Sequence, residues 1–77
     1  MIATHKIGNI AFINNQMIID IDGNELKIPL DKLSQRLQAS NDIERAMYKI
    51  SPSGYGIHWP LIDEDLSIKG ILRDFGK

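Results

Sequence analysis

The sequence predicts an α+β fold: an antiparallel meander sheet of about five strands with two to three short helices packed on one face. Apolar residues alternate with period two through most of the first half, which is typical of half-buried strands. Leucines at helical spacing follow, and the C-terminal segment carries a complete amphipathic helix pattern. With 77 residues, 43% of them hydrophobic, we expect a single small domain over residues 1–77.

The composition argues against several classes of function. The chain has no Cys, which excludes disulfides and thiolate chemistry and fits a reducing cytoplasm. Nine Lys and Arg residues against ten Asp and Glu give a net charge of −1, with the two signs interspersed, so a general affinity for nucleic acid is not predicted. No apolar run approaches the ~20 residues of a membrane helix, and residues 1–9 carry no secretion signal. We expect a soluble cytoplasmic protein.

The first strand is predicted over Ile7–Ile13, and Asn14-Asn15-Gln16 supplies the turn that follows it. In the second strand three apolar residues alternate with acidic ones: Met17, Ile19 and Ile21. Such alternation predicts one buried and one solvated face. Ile18 interrupts the pattern and leaves the solvated face partly apolar.

A tight hairpin is predicted after the second strand, with either Gly23-Asn24 or Asp22-Gly23 as its loop. The first loop sets Asp20 opposite Lys27, whereas the second sets Asp20 opposite Glu25. An opposite-charge cross-strand pair stabilises a sheet by ~0.2 to 1 kcal/mol, so we favour the first register.

Two short helices are predicted in the middle of the chain. The first begins at Pro29, which suits a first helical turn. Its inward face consists of three leucines: Leu30, Leu33 and Leu37. The second begins at Asn41, because Asn41 and Glu44 have the spacing of a capping box. We expect this helix to carry Ile43 and Met47 inward.

A second hairpin is predicted around the loop of residues 51–54. It pairs Tyr48 with Ile57 and Ile50 with Tyr55, which places the large apolar groups on one face. The opposite face would hold three other residues: Lys49, Gly56 and His58. Gly inside a strand is typical of a bulge or of close approach by another backbone.

The C-terminal third is predicted to close the core. Trp59 ends the last strand on its inward face, where a large aromatic group is most simply a core residue. Asp63 or Asp65 is placed to cap a helical turn, and Ser67 can cap the final helix. That helix is predicted over Ile68–Phe75, which matches the amphipathic template in full.

One long motif resembles a known family. The strand end GIHWP, the acidic segment LIDEDLS and the helix start Gly70-Ile71-Leu72 follow one another in residues 54–72. This run resembles the bacterial family called domain of unknown function 2442, and the Asp22-Gly23 turn is also similar to it. The resemblance implies a small α+β protein, sometimes fused to a helix-turn-helix domain. It also implies a gene beside that of another short protein, as in toxin and antitoxin pairs.

We therefore expect a non-enzymatic protein-binding module, antitoxin-like, with no cofactor and no metal. Its partner would be another small protein or a second copy, not a membrane. The residues predicted to bind it are Lys49, Gly56, His58, Asp63, Glu64 and Asp65. They form a shallow surface, whereas a small substrate needs a deep pocket.

Two alternatives stay open. One is a DNA-binding regulator that acts as a dimer or through a partner, with four basic residues gathered on one side: Lys6, Lys27, Lys32 and Arg36. The other, less favoured, is a metal-assisted hydrolase. It would use the Asp63-Glu64-Asp65 run as cation ligands, or Asp63 with His58 as an acid and base pair.

Overall fold

The structure, a computed structural model, describes residues 4–76 as two three-stranded antiparallel sheets and four α-helices. The strands are β1 (Ile7–Ile13), β2 (Gln16–Ile21), β3 (Asn24–Pro29), β4 (Lys49–Ile50), β5 (Gly56–Trp59) and β6 (Glu64–Ser67). The helices are α1 (Leu30–Leu33), α2 (Gln35–Ala39), α3 (Asp42–Ala46) and α4 (Ile68–Phe75). Within the described residues no helix is long and apolar enough to cross a membrane.

The α+β class is confirmed, but the single five-stranded meander is wrong. The sheets have the orders β1-β2-β3 and β4-β5-β6, so the chain leaves the first sheet at β3 and does not return to it. Three consecutive helices, α1 to α3, separate β3 from β4. The second sheet obtains its third strand from β6 instead.

The first sheet follows the predicted alternation. Met17, Ile19 and Ile21 on β2 are buried, and the predicted bounds of β1 are confirmed. Asn14 and Asn15 form the turn between β1 and β2 with φ of 53° and 62°. Asn adopts this left-handed region more readily than most residues, which is why the turn forms there.

The favoured register of the hairpin formed by β2 and β3 is wrong. Asp20 lies opposite Glu25, and Lys27 lies opposite Ile18. Asp22 and Gly23 form the turn, with φ of 54° and 84°. A turn with two positive φ angles matches the twist of the flanking strands, and this preference outweighs one exposed charge pair.

The Asp22 carboxylate gives a second reason for this register. It accepts hydrogen bonds from the Lys6 backbone N–H and from His5 Nδ1, both at 2.8 Å. His5 N–H also donates to Ser53 O at 3.0 Å, in the second sheet's loop. His5 therefore joins the start of β1, the β2–β3 turn and the second sheet.

The helical layer breaks at Ser34, so the predicted continuous helix is wrong at this residue. Ser34 has an extended backbone (φ −164°) and caps α2, because its Oγ accepts from Leu37 N–H at 3.1 Å. The break does not change which leucines face inward: Leu30 and Leu37 are both buried.

Helix α3 begins with the predicted capping box, in which Asn41 and Glu44 exchange hydrogen bonds of 2.9 and 2.8 Å. The predicted inward direction of Ile43 and Met47 is wrong, since these side chains are 71% and 52% exposed. Arg45 occupies the inner side instead. Its guanidinium donates to the Leu37 and Gln38 carbonyls, both at 3.0 Å, and so satisfies the end of α2.

The pairing predicted for the second hairpin is wrong by two residues. Tyr48, Ile57 and Trp59 face the core as predicted, but Ile50 and Tyr55 are exposed. Ile50 lies opposite Ile57, and Lys49 lies opposite His58. A 3₁₀ turn, Pro52–Gly54, takes up the extra residues and leaves Tyr55 outside the strands. Tyr55 is consequently 55% exposed.

The acidic segment forms strand β6, so the prediction that Asp63 or Asp65 caps a helical turn is wrong. Asp63 instead has φ of 52° in the turn before β6. Ser67 does cap α4, because its Oγ accepts from Gly70 N–H at 2.9 Å. The bounds predicted for α4, Ile68–Phe75, are confirmed.

Trp59 lies at the centre of the core with no exposed surface. Its ring centroid is 6.2 Å from that of Tyr48, and its Nε1 donates to Arg45 O at 3.1 Å. The other fully or nearly buried apolar residues surround it: Met17, Ile19, Ile21, Ile28, Leu30, Leu37, Ile57, Ile68 and Ile71. One core thus joins both sheets and the helices.

Replacing Trp59 with Ala is expected to lower the free energy of unfolding by about 3 to 5 kcal/mol, because a large cavity is left in the core. Trp59→Phe keeps most of the volume and loses the indole hydrogen bond, so a smaller loss is expected. Urea titrations followed by far-UV circular dichroism measure both. Equal midpoints for wild type and Trp59→Ala would show that the ring is not a core group.

Asp22→Asn is expected to lower stability near neutral pH and to match the wild type in strong acid. The hydrogen bond from His5, followed by that from the Lys6 N–H, holds the pKa of the Asp22 carboxyl below its ordinary value of 3.8. A lowered native pKa stabilises the fold above the unfolded value, and this stabilisation is lost as the pH falls through the native pKa. Asn tolerates the same positive φ, so the turn is kept.

The measurement is a series of urea midpoints for both proteins from about pH 6 to about pH 2. Glu25→Gln, which removes a charge from the same hairpin, is the control, and its urea midpoint should differ less from that of the wild type. A difference in urea midpoint between wild type and Asp22→Asn that stays the same at the lowest pH would contradict a stabilising role of the ionised Asp22 carboxylate.

Candidate protein-binding groove on the second sheet

The outer face of the second sheet carries a groove of about 570 Å³. The strand pleat decides which side chains meet there: Ile57 and Trp59 on β5 point into the core, so Gly56 and His58 point outward. The groove is lined by residues 49–52, 55–58 and 65–67. We call it the outer groove.

The floor of the outer groove consists of three small residues side by side, which we call the small row: Ser51 after β4, Gly56 on β5 and Ser67 on β6. Gly56 pairs with Ser67 on β6, and Ser51 N–H donates to Gly56 O at 3.0 Å. Both serine hydroxyls accept backbone hydrogen bonds: Ser51 Oγ from Gly56 N–H and Ser67 Oγ from Gly70 N–H, each at 2.9 Å. The floor is therefore held rigidly.

One side of the outer groove is formed by three polar residues, which we call the charged row: Lys49, His58 and Asp65. They lie on β4, β5 and β6 and are directly opposite one another. His58 Nδ1 hydrogen-bonds Asp65 Oδ1 at 2.7 Å, and these side chains are 42% and 75% exposed. The row thus has a cation at one end and an anion at the other.

The other side of the outer groove is apolar. Pro52 and Tyr55 belong to the loop between β4 and β5, and Ile50 precedes that loop. Tyr55 is 55% exposed and Ile50 is 39% exposed. Exposed apolar side chains beside a depression are typical of a protein contact.

Four of the six residues predicted for partner binding meet in the outer groove: Lys49, Gly56, His58 and Asp65. The other two do not line it. Alternation along β6 directs Glu64 away from Asp65, and Asp63 lies in the preceding turn. Seven of the eleven lining residues were not predicted: Ile50, Ser51, Pro52, Tyr55, Ile57, Leu66 and Ser67. The proximity of Ser51 and Ser67 to Gly56 depends on strand pairing, which the sequence alone did not determine.

Glu64 connects the second sheet to the helical layer. Its Oε2 accepts from Ser34 Oγ at 2.5 Å, and its Oε1 accepts from Asp65 N–H at 3.0 Å. Arg36 donates from Nη1 to the Ile62 and Asp63 carbonyls, at 3.3 and 2.5 Å. The carbonyls of the turn before β6 and the Asp65 N–H are therefore bonded by the protein's own side chains.

The acidic run does not converge on one point. Asp65 contacts His58, Glu64 contacts Ser34, and the backbone of Asp63 contacts Arg36. Within residues 4–76 there is no group of three or more His, Cys, Asp or Glu side chains that could hold a metal ion.

The basic residues considered for DNA binding are dispersed over different elements. Lys6 precedes β1, Lys27 is on β3, Lys32 is on α1 and Arg36 is on α2. The guanidinium of Arg36 is engaged by the two carbonyls before β6.

Gly56→Ala is expected to lower the free energy of unfolding by about 1 to 3 kcal/mol, because a Cβ at this position would stand 2.9 Å from Leu66 O. Ala normally favours a strand or helix over Gly, so a loss would report this close contact. Gly8→Ala is the matched control. Its Cβ would stand 2.8 Å from Asp20 Oδ2 and 3.1 Å from Asp20 Cβ, and the carboxylate end of that side chain can rotate away whereas the Leu66 carbonyl belongs to the backbone, so a smaller loss is expected. Urea midpoints measure both, and an equal or raised stability of Gly56→Ala would contradict the geometry.

A solved structure has the same fold. It is the crystal structure of a protein of unknown function from Rhodospirillum rubrum ATCC 11170, which is 25% identical to this chain. The TM-score is 0.71, and the match covers 95% of this chain and 90% of that one. No curated protein matches this chain significantly. The model of the family described as protein of unknown function (DUF2442) matches residues 7–76, so the chain belongs to this family.

Proposed function

We propose that this protein is a protein-binding module that holds a partner protein in the outer groove. The observation that carries the proposal is the groove itself, about 570 Å³ with exposed apolar residues along one side and charges along the other. Protein interfaces combine apolar contacts with polar ones, and the two sides of this groove offer both. A small-molecule site encloses most of its ligand, whereas this groove lies open on a sheet face.

The partner is proposed to bind the sheet face, not to extend a sheet edge. Where β6 begins, Arg36 bonds the Asp63 carbonyl and Glu64 bonds the Asp65 N–H, so an added strand would have to displace these contacts. The opposite edge strand, β4, has only two residues, Lys49–Ile50. Very short edge strands are a common protection against strand addition.

The partner is proposed to be the short protein encoded beside this one, with this chain as the antitoxin-like member of the pair. The support for this step is the family to which the chain belongs, in which such neighbouring genes are expected. A non-enzymatic role is part of the same proposal.

The test is co-expression of the two proteins, followed by size-exclusion chromatography and calorimetric titration. We expect a complex, and we expect Tyr55→Ser to weaken it by about tenfold or more, as truncation of a central aromatic contact does. Leu61→Ser is the matched control. Leu61 is 54% exposed, against 55% for Tyr55, but it lies in the β5–β6 turn outside the outer groove.

Two results would contradict the proposal. Separate elution of the two proteins at micromolar concentration would exclude this partner. Equal affinity of Tyr55→Ser and wild type, in a complex that does form, would exclude the outer groove as its binding site.

A further inference from the structure

We propose that the charged row selects a partner segment with a defined order of charge. The segment places an acidic side chain at Lys49, an apolar side chain over Gly56 and a basic side chain at Asp65. This inference rests on the proposed function and names the chemistry of the partner that the outer groove fits.

The positions of the three strands determine the order of charge along the row. Neighbouring strands lie about 4.8 Å apart, so Lys49 on β4 and Asp65 on β6 are about 10 Å apart across the sheet. The small row runs parallel to the charged row and lies two residues along the strands, about 7 Å away. A segment that follows the small row therefore passes the cation at one end and the anion at the other.

Both ends of the charged row are available to a partner. Within residues 4–76 three ion pairs occur, His5 with Asp22, His58 with Asp65 and Arg73 with Asp74, and none of them includes Lys49. The Asp65 carboxylate is 75% exposed although one of its oxygens contacts His58. The contact with His58 holds the anion in place and leaves its other oxygen free to accept.

A second copy of this chain fits the charges but not the shape. A two-fold rotation would set Lys49 of each copy against Asp65 of the other, so the charges alone are self-complementary. The same rotation sets one outer groove over the other, and the small row at Gly56 then faces an equal depression. Only a segment with a protruding apolar side chain covers this floor, which favours a different protein.

The test compares the charge reversals Lys49→Glu and Asp65→Lys, singly and together, with the protein encoded beside this one as the probe. Association rates and affinities are measured at about 50 mM and about 300 mM salt. We expect each reversal to weaken binding by about tenfold at the lower salt, with a smaller effect at the higher salt. The variant with both reversals should bind most weakly, since it inverts the order of charge while the partner is unchanged.

The controls are Lys27→Glu, on the other sheet, and Asp31→Lys, on α1, which change the net charge equally and should leave binding unchanged. Binding that depends on Tyr55 but not on Lys49 or Asp65 would overturn this inference alone. Absence of any complex would overturn the proposed function with it.

Sedimentation of the isolated chain tests the second copy. If the wild type dimerises, each single reversal abolishes the dimer and the double reversal restores it, then the row pairs with itself and the inference is wrong. We expect no such restored dimer.

Discussion

The pleat of β5 is the constraint on which the rest of the structure depends. Successive side chains on a strand point to opposite faces, so burial of Ile57 and Trp59 obliges Gly56 and His58 to face outward. A slip of one residue would put His58 into the core and Trp59 into water. The burial of the single Trp therefore positions both the core and the outer groove.

Strand β6 pairs with β5 and extends the same alternation of faces toward the helices. Its alternation sends Asp65 to the outer face beside His58 and Glu64 toward Ser34, where Glu64 reaches the cap of α2. One carboxylate thus extends the charged row while its neighbour anchors the helical layer. Arg36 and Glu64 also bond backbone groups where β6 begins, whereas the outer face of this sheet carries the exposed side chains of His58 and Asp65.

The sequence predicted well where the pattern was local. The amphipathic repeat of Ile68–Phe75, the capping box at Asn41 and the two faces of β5 all depend on residues a few positions apart, and all were correct. Both hairpin registers were wrong for a different reason. His5 lies 17 residues before Asp22 and yet bonds its carboxylate, and such a contact leaves no periodic signal in the sequence.

The acidic segment and helix α3 were also predicted wrongly because long-range contacts decide their structure. Asp63 and Asp65 favour a helix cap by propensity, but pairing with β5 makes Glu64–Ser67 a strand. Ile43 was expected inside because it is apolar, yet Arg45 takes the inner side by bonding carbonyls at the end of α2. In both cases a tertiary contact outweighed a local preference, which for a helix cap is about 1 kcal/mol.

The small row shows how the outer groove depends on the fold. Gly56 is required because a Cβ would press on Leu66 O, Ser51 because it accepts the Gly56 N–H, and Ser67 because it caps α4. Each residue that forms the low floor of the outer groove thus has a structural role. Tyr55, Lys49 and Asp65 are exposed and can vary at little cost in stability. For the proposed function, the choice of partner is therefore expected to depend on the sides of the groove and not on its floor.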